Sequence, residues 1–342
     1  MGVTANVVSI VIPCRNEADF IDGCLDSLLA QELSTGQELE ILVADGMSDD
    51  GTRGILVQRG AVDPRIRMID NPGRIVSSGL NAAIAASTGE IVVRIDVHST
   101  YAGDYVANCL RVLASSGADN VGGPWVARGR DAVSNAIAAA FASPVAMGGA
   151  RGHDASYEGP VDTVYLGCWR RELFDRIGGF DEALVRNQDD EFNLRIHRSG
   201  GRVFQSPAIQ SWYTPRSSLR RMARQYFQYG YWKVGVMRRH RLPASPRHLV
   251  PALFVAGLSL GWLPALWYPV WWACIAIGLV AYAGIILVSM LVATRCHMWQ
   301  ALIASVAVVM MHLAYGIGTW RGCIDALFGR FGQADSVASL SR

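Results

Sequence analysis

Asp96-Val97-His98 directly follows the apolar run Ile91–Ile95, and strand alternation would send the Asp96 and His98 side chains to one side. A carboxylate and an imidazole so placed can approach one divalent cation, which would neutralise a nucleotide diphosphate leaving as a sugar bond breaks. The imidazole favours Mn2+ relative to an all-oxygen site, with Mg2+ also allowed. The same tripeptide also fits a buried strand-end aspartate beside an ordinary surface histidine. Asn187-Gln188-Asp189-Asp190-Glu191 opens a helix. Acids in a first turn complement the helix dipole, yet three in a row exceed what capping needs, and one could project into a cleft as general base. Pro13-Cys14-Arg15-Asn16-Glu17 follows the first apolar strand and Asp45 follows the second. Polar loops there can bring a carboxylate or amide to a base or ribose, although Asp and Ser are also ordinary turn formers.

The elements that must position these residues read as alternating strand and helix. Val7–Ile12, Glu40–Ala44, Arg67–Ile69 and Ile91–Ile95 are short apolar strands. Phe20, Ile21, Cys24, Leu25, Leu28 and Leu29 recur at helical spacing, and Ser77–Ala86 forms another helix. This order predicts right-handed crossovers and a mainly parallel sheet with ligands at the carboxyl ends of its strands, where all four motifs fall. Residues 120–215 read less regularly.

The charge is unevenly spread. Of 31 basic and 29 acidic residues, only Arg295, Arg321, Arg330, Arg342, Asp325 and Asp335 follow Leu249. The 46 residues from Leu249 to Thr294 carry no charge, enough for two membrane spans turning near Pro264–Pro269 among Trp262, Trp267, Trp271 and Trp272. Trp299–Trp320 supplies a third. Nine basic residues and no acid lie between Thr214 and His248. That is a positive-inside signal, and it predicts attraction to membrane lipids rather than to nucleic acid. Leu219, Met222, Ala223, Tyr226, Tyr229 and Gly230 share one helix face with Arg220, Arg221 and Arg224 opposite, which suits the membrane interface or packing on a core. Seven scattered cysteines without a CxxC pair, and a strand at Val7 with no basic-plus-apolar leader, predict a cytosolic catalytic half. The expected division is 1–215, 216–248, 249–322 and a tail 323–342. Uncharged spans argue against a transporter.

Taken together the pattern resembles glycosyltransferase family 2, in its membrane-anchored succinoglycan-biosynthesis branch. The resemblance is carried by Val8–Glu17, Val43–Thr52, Gly79-Leu80-Asn81, Asp96-Val97-His98, Gly178–Glu182 and Gln188–Glu191. It implies an α/β GT-A fold, a Rossmann-like and mainly parallel sheet domain, followed by an amphipathic interfacial helix and about three transmembrane helices. It implies a nucleotide-sugar site formed by Pro13, Arg15, Glu17, Asp45, Asn81 and Asp96, with Gln225 near the donor diphosphate. Asp96 and His98 would hold Mn2+ or Mg2+, and Asp189 would be the catalytic base, with Asp190 and Glu191 as other candidate acids. His98 stands where the family commonly has Asp, and Gln188 where it has Glu. The implied reaction is inverting transfer of a hexose, glucose foremost, from a UDP-sugar to a polyprenyl-diphosphate-linked saccharide in exopolysaccharide synthesis, by a multi-pass protein of the plasma (inner) membrane. Transfer to a bare polyprenyl phosphate and a non-catalytic sugar-nucleotide-binding subunit are the alternatives.

Overall fold

The computed structural model describes residues 7–215, 217–241 and 245–333, so the last nine residues of the expected tail and four residues of the basic segment lie outside it. The chain forms two compact units, Met1–Trp125 with Asp154–Tyr213, and Val126–His153 with Thr214–Arg342. The expected division at 215 thus misses that 126–153, inside the first segment, groups with the C-terminal helices.

In chain order the first unit contains β1 (Val7–Cys14), α1 (Ile21–Leu29), β2 (Glu38–Asp45), α2 (Thr52–Val62), β3 (Ile66–Asp70), α3 (Val76–Ala86), β4 (Ile91–Arg94), β5 (Ser99–Tyr101), α4 (Tyr105–Ser116) and β6 (Asn120–Gly123). The second unit interposes β7 (Val126–Ala127) and α5 (Ala132–Phe141). The first resumes with β8 (Gly159–Pro160), β9 (Tyr165–Arg170), α6 (Glu172–Ile177), α7 (Gln188–Arg198), β10 (Val203–Gln205) and β11 (Ser211–Tyr213). The remaining helices are α8 (Leu219–His240), α9 (Val250–Leu260), α10 (Val270–Ala293) and α11 (Met298–Leu327).

The main sheet has the order β3-β2-β1-β4-β9-β6-β10-β8. Its β3-β2-β1-β4 half is parallel, and β9 runs antiparallel to both β4 and β6. Strand β1 is buried on both faces because successive residues serve two cores. Val8, Ile10 and Ile12 pack with Leu25 and Leu28 of α1, whereas Val11 packs with Leu80 of α3 and Trp169 of β9. It also runs through Pro13 to Cys14, past the stop expected at Ile12, because Pro13 and Cys14 still pair in register with Ala44 and Asp45.

The second core matters most for the site, because it fixes α7. Phe192 stacks on Phe180 at 4.6 Å and on Phe174 at 5.3 Å, and meets Trp169 edge-on at 5.9 Å. Each aromatic pair adds about 0.5–1.5 kcal/mol beyond area burial. The Gly178–Phe180 turn that carries Phe180 is tied to α3 through Asn81. A Cβ at Gly179 would come within 2.5 Å of Asn81 Oδ1, so a side chain there would displace the Asn81 amide.

In the second unit α8 packs along α11 through glycine contacts. A Cβ at Gly230 would meet the Tyr315 carbonyl oxygen at 2.0 Å, and one at Gly318 the Phe227 carbonyl oxygen at 2.1 Å. Small residues let two backbones approach this closely. Met222, Tyr226, Tyr231 and Trp232 are consequently buried. Protein therefore covers the apolar side of α8, a correction to the interfacial reading of that stripe, while Arg220, Arg221 and Arg224 stay exposed. Three helical stretches, Pro246–Leu266, Val270–Ala293 and Met298–Leu327, are long and apolar enough to cross a membrane.

Candidate active site

The loops after β1 and β2 lie side by side because the strands pair to their ends, Cys14 opposite Asp45. Side chains then lace them together. The Asn16 amide donates to Asp49 Oδ1 at 2.7 Å and accepts from the Asp49 N–H at 3.0 Å, while the backbone N–H groups of Asn16 and Glu17 donate to Ser48 Oγ and Thr52 Oγ1. Asn16 and Met47 adopt left-handed backbone conformations (φ 54° and 57°) that turn the chain at each strand end. Asp45 is fully buried. Its Oδ2 accepts from the Ser48 N–H at 3.0 Å and from Arg53 at 2.7 Å, and its Oδ1 is enclosed with no hydrogen-bond partner among the described residues. Pro13 and Arg15 are half-buried at the mouth of this pair of loops, with the Arg15 stem against Gly46. Burial, with Glu17 and Asp45 nearby, raises the Cys14 thiol far above its usual range and keeps it inert.

Asp96 and His98 are not on a strand. Strand β4 ends at Arg94, and the pair occupies a turn closed by the Ser99 N–H on the Asp96 carbonyl at 3.2 Å. The alternation expected from Ile91–Ile95 therefore does not operate. What brings the pair together is the Asp96 side chain, whose Oδ1 accepts the His98 N–H at 2.9 Å. Tyr101 locks the turn from below, its hydroxyl accepting the Asp96 N–H at 2.9 Å and donating to the Asp96 carbonyl at 2.8 Å.

Glu17 faces the imidazole of His98. Its Oε1 lies 3.0 Å from His98 Nε2. A carboxylate only accepts, so Nε2 carries the proton of this hydrogen bond. A carboxylate on the far nitrogen is the usual support for a metal-ligating histidine. Asp96 and His98 are the two side chains of this turn that could serve a divalent cation as donors. Among the described residues no cluster of three His, Cys, Asp or Glu side chains could hold a metal, so the other ligand positions would fall to diphosphate oxygens and water.

Helix α7 begins at Gln188, after Asn187 in a left-handed conformation (φ 62°). Its three acids have separate fates. Glu191 is 1% exposed and accepts both Nε and Nη2 of Arg195 at 2.9–3.0 Å. Arg195 also donates to the carbonyls of Ile177 and Gly179. Glu191, a candidate acid by sequence, is thereby a fastener of the Gly178–Phe180 turn. Asn81 works with it: its amide donates to the Phe180 carbonyl and to Glu182, and accepts the Phe180 N–H at 2.8 Å. Both ends of that amide are engaged, so Asn81 ties the Gly178–Phe180 turn to α3. Asp190, in the first turn of α7, is half-buried.

Asp189 points the other way, to the end of β4, where its Oδ1 accepts from Arg94 Nη1. The Arg94 side chain is 8% exposed and that of Asp189 is 32% exposed, so the pair bridges the sheet interior and the cleft. Desolvation pushes the Asp189 carboxyl above the ordinary aspartate range, and the charges of Asp190 and Asp96 push the same way, while Arg94 opposes them. Arg94 was missed by the sequence reading. Its signal was a lone charge within the apolar stretch Ile91–Ile95.

The arrangement sets a turn bearing a carboxylate and an imidazole, and a partly exposed carboxylate on a buried guanidinium, at the strand ends of a parallel half-sheet. Residues 9–178 match the family described as Glycosyl transferase family 2. The chain is 31% identical over 94% of its length, and 97% of the relative's, to the succinoglycan biosynthesis protein ExoA of Rhizobium meliloti (strain 1021). The chain belongs to glycosyltransferase family 2. It is also 27% identical, over 68% of its length and 74% of the relative's, to a dolichyl N-acetyl-alpha-D-glucosaminyl phosphate 3-beta-D-2,3-diacetamido-2,3-dideoxy-beta-D-glucuronosyltransferase of Methanococcus voltae. The GT-A-like fold is shared with a mannosyltransferase from Pyrobaculum calidifontis solved with GDP-mannose and Mn2+, at TM-score 0.60 and 21% identity, over 90% of this chain and 87% of that one. The chain is thus a family 2 glycosyltransferase of the ExoA type.

Gln225, Arg220, Arg221 and Arg224 belong to α8 in the second unit. Gln225 is buried, and its amide donates to the Tyr229 hydroxyl at 2.7 Å.

Proposed function

We propose that this glycosyltransferase moves a hexose, glucose foremost, from a UDP-sugar to a polyprenyl-diphosphate-linked saccharide at the cytosolic face of the plasma membrane. The observation that carries the reading is Asp189, a partly exposed carboxylate held from behind by buried Arg94 near the Asp96–His98 turn. An acceptor hydroxyl would give its proton to Asp189 and attack the anomeric carbon. Its oxygen would form the new glycosidic bond as the bond to the diphosphate breaks on the opposite face, inverting the anomeric centre. Arg94 keeps the base in place, and its charge opposes protonation of Asp189. Asp96 and His98 would hold Mn2+ or Mg2+, which neutralises charge on the departing diphosphate. Pro13, Arg15, Asp45 and, through α8, Gln225 are assigned to donor binding. Asp45 Oδ1, a buried acceptor with no partner among the described residues, is the atom best suited to a nucleoside N–H or hydroxyl.

The lipid-linked acceptor is supported by the three apolar helices and by the named acceptor of the Methanococcus voltae relative, a dolichyl-linked sugar phosphate. Purified protein offered UDP-glucose, other nucleotide hexoses, polyprenyl phosphate and polyprenyl-diphosphate saccharides should yield one extended lipid-linked product by mass spectrometry. A product formed only on bare polyprenyl phosphate would overturn the acceptor, and product from a non-UDP donor alone would overturn the donor.

A further inference from the structure

Residues Ala132–Ala150 form a second charge-free run, 19 residues long, well before the C-terminal helices. Arg128, Arg130 and Asp131 precede it, and Arg151, His153 and Asp154 follow it. It contains the short apolar helix α5, then a loop that turns through Gly148 and Gly149 with left-handed backbone (φ +59° and +68°). Ten helical residues are too few to cross a bilayer, and both ends of the run are charged.

Hydrogen bonds tie this loop to two of the apolar helices. Ser143 Oγ lies 2.8 Å from Ser289 Oγ on α10, and the Ala146 carbonyl lies 3.1 Å from His312 Nε2 on α11. A carbonyl only accepts, so Nε2 carries the proton, and Nδ1 accepts the Tyr282 hydroxyl at 2.9 Å. Both nitrogens of His312 are satisfied, which a histidine away from water requires. Tyr282 and His312 stand near the midpoints of Val270–Ala293 and Met298–Leu327. Backbone bonded to them shares their depth, and non-helical backbone is tolerated at such depth where protein supplies its partners. Meanwhile Ala142, Pro144 and Val145 are exposed, Val145 at 42%, with no polar side chain among them.

We infer that Ala132–Ala150 is a re-entrant membrane element, entering and leaving by one face, with Ala142, Pro144 and Val145 against the hydrocarbon chains of the bilayer. The inference rests on α10 and α11 crossing that bilayer, and one control tests this separately. Full-length protein with Cys274, Cys296 and Cys323 replaced by alanine is placed in phosphatidylcholine–phosphatidylglycerol vesicles. A nitroxide is attached singly through Ala142→Cys, Val145→Cys, Val280→Cys in α10 or Val57→Cys in α2. Val280 and Val57 are 72% and 59% exposed in the structure. Power saturation then compares collision with oxygen, which concentrates in lipid, and with a nickel chelate, which stays in water. The expected result is that labels at 142 and 145 rank with Val280 and against Val57. Labels at both positions that rank with Val57, while Val280 reports lipid, would overturn the re-entrant element alone. A Val280 label in water would overturn the spanning helices and the element with them.

Discussion

Polar side chains in the two units are held in different ways. In the second unit they close on one another: His312 uses both nitrogens, and Asp325 takes Tyr231 and Arg321 together. In the first unit the strand-end groups are each fastened by a neighbour and remain partly exposed. Asp189 rests on Arg94 with a third of its side chain exposed, and His98 rests on Glu17 with 37% of its side chain exposed. A group closed on all sides rigidifies a fold, whereas one fixed from behind can meet a substrate without first reorganising. Glu191 shows that the distinction is not one of sequence neighbourhood. It sits two residues from Asp189 and is closed entirely by Arg195.

The largest effect should come from breaking the open acid. Asp189→Asn should fold and bind UDP-sugar nearly as wild type yet lose roughly 10²-fold or more in turnover. Asp190→Asn should be milder, and the reverse ranking in donor-affinity and transfer-rate assays would move the base to Asp190. Next, His98→Ala should weaken Mn2+-dependent donor binding, and Glu17→Gln should do so by about 10-fold or more through loss of the carboxylate behind the imidazole. His98→Asp should restore binding with a shift toward Mg2+. Metal dependence unchanged in all three variants would remove His98 from the ligand set. The closed acid should behave oppositely. Glu191→Gln should cost roughly 1.5–3 kcal/mol of stability in denaturant titrations, with the activity of the remaining folded protein little changed.

Much of this was legible in the residues. The parallel half-sheet announced itself because β1, β2 and β4 are built on short apolar runs, and the C-terminal helices because 46 residues carry no charge. The motifs at the strand ends followed from that order. What could not be read was partnership across long sequence gaps. Nothing local says that Asn81 holds Phe180, that Glu17 meets His98, or that Arg94 reaches Asp189. The Asp96–His98 pair was found for the wrong reason, since a side-chain-capped turn and not strand alternation brings it together. Residues 126–153 were hidden because a ten-residue helix does not resemble a membrane element until the hydrogen-bond partners around it are known.

The smallest expected effect is also the most selective, because it uses the sign of a shift. A general base works only when ionised, so transfer should fall as pH drops through the Asp189 pKa. Burial raises that pKa above the ordinary 3.8, so the acid limb of kcat/KM should lie higher than an exposed aspartate would give. Arg94 opposes the rise and Asp190 contributes to it. Arg94→Gln should therefore move the limb to higher pH, and Asp190→Asn should move it to lower pH, provided donor saturation is maintained across the titration. A purely structural role for either neighbour would lower activity without moving the limb. Opposite displacements in the two variants would tie the titrating group to the carboxylate between them, while a limb that stays fixed in both would assign it elsewhere in the cleft.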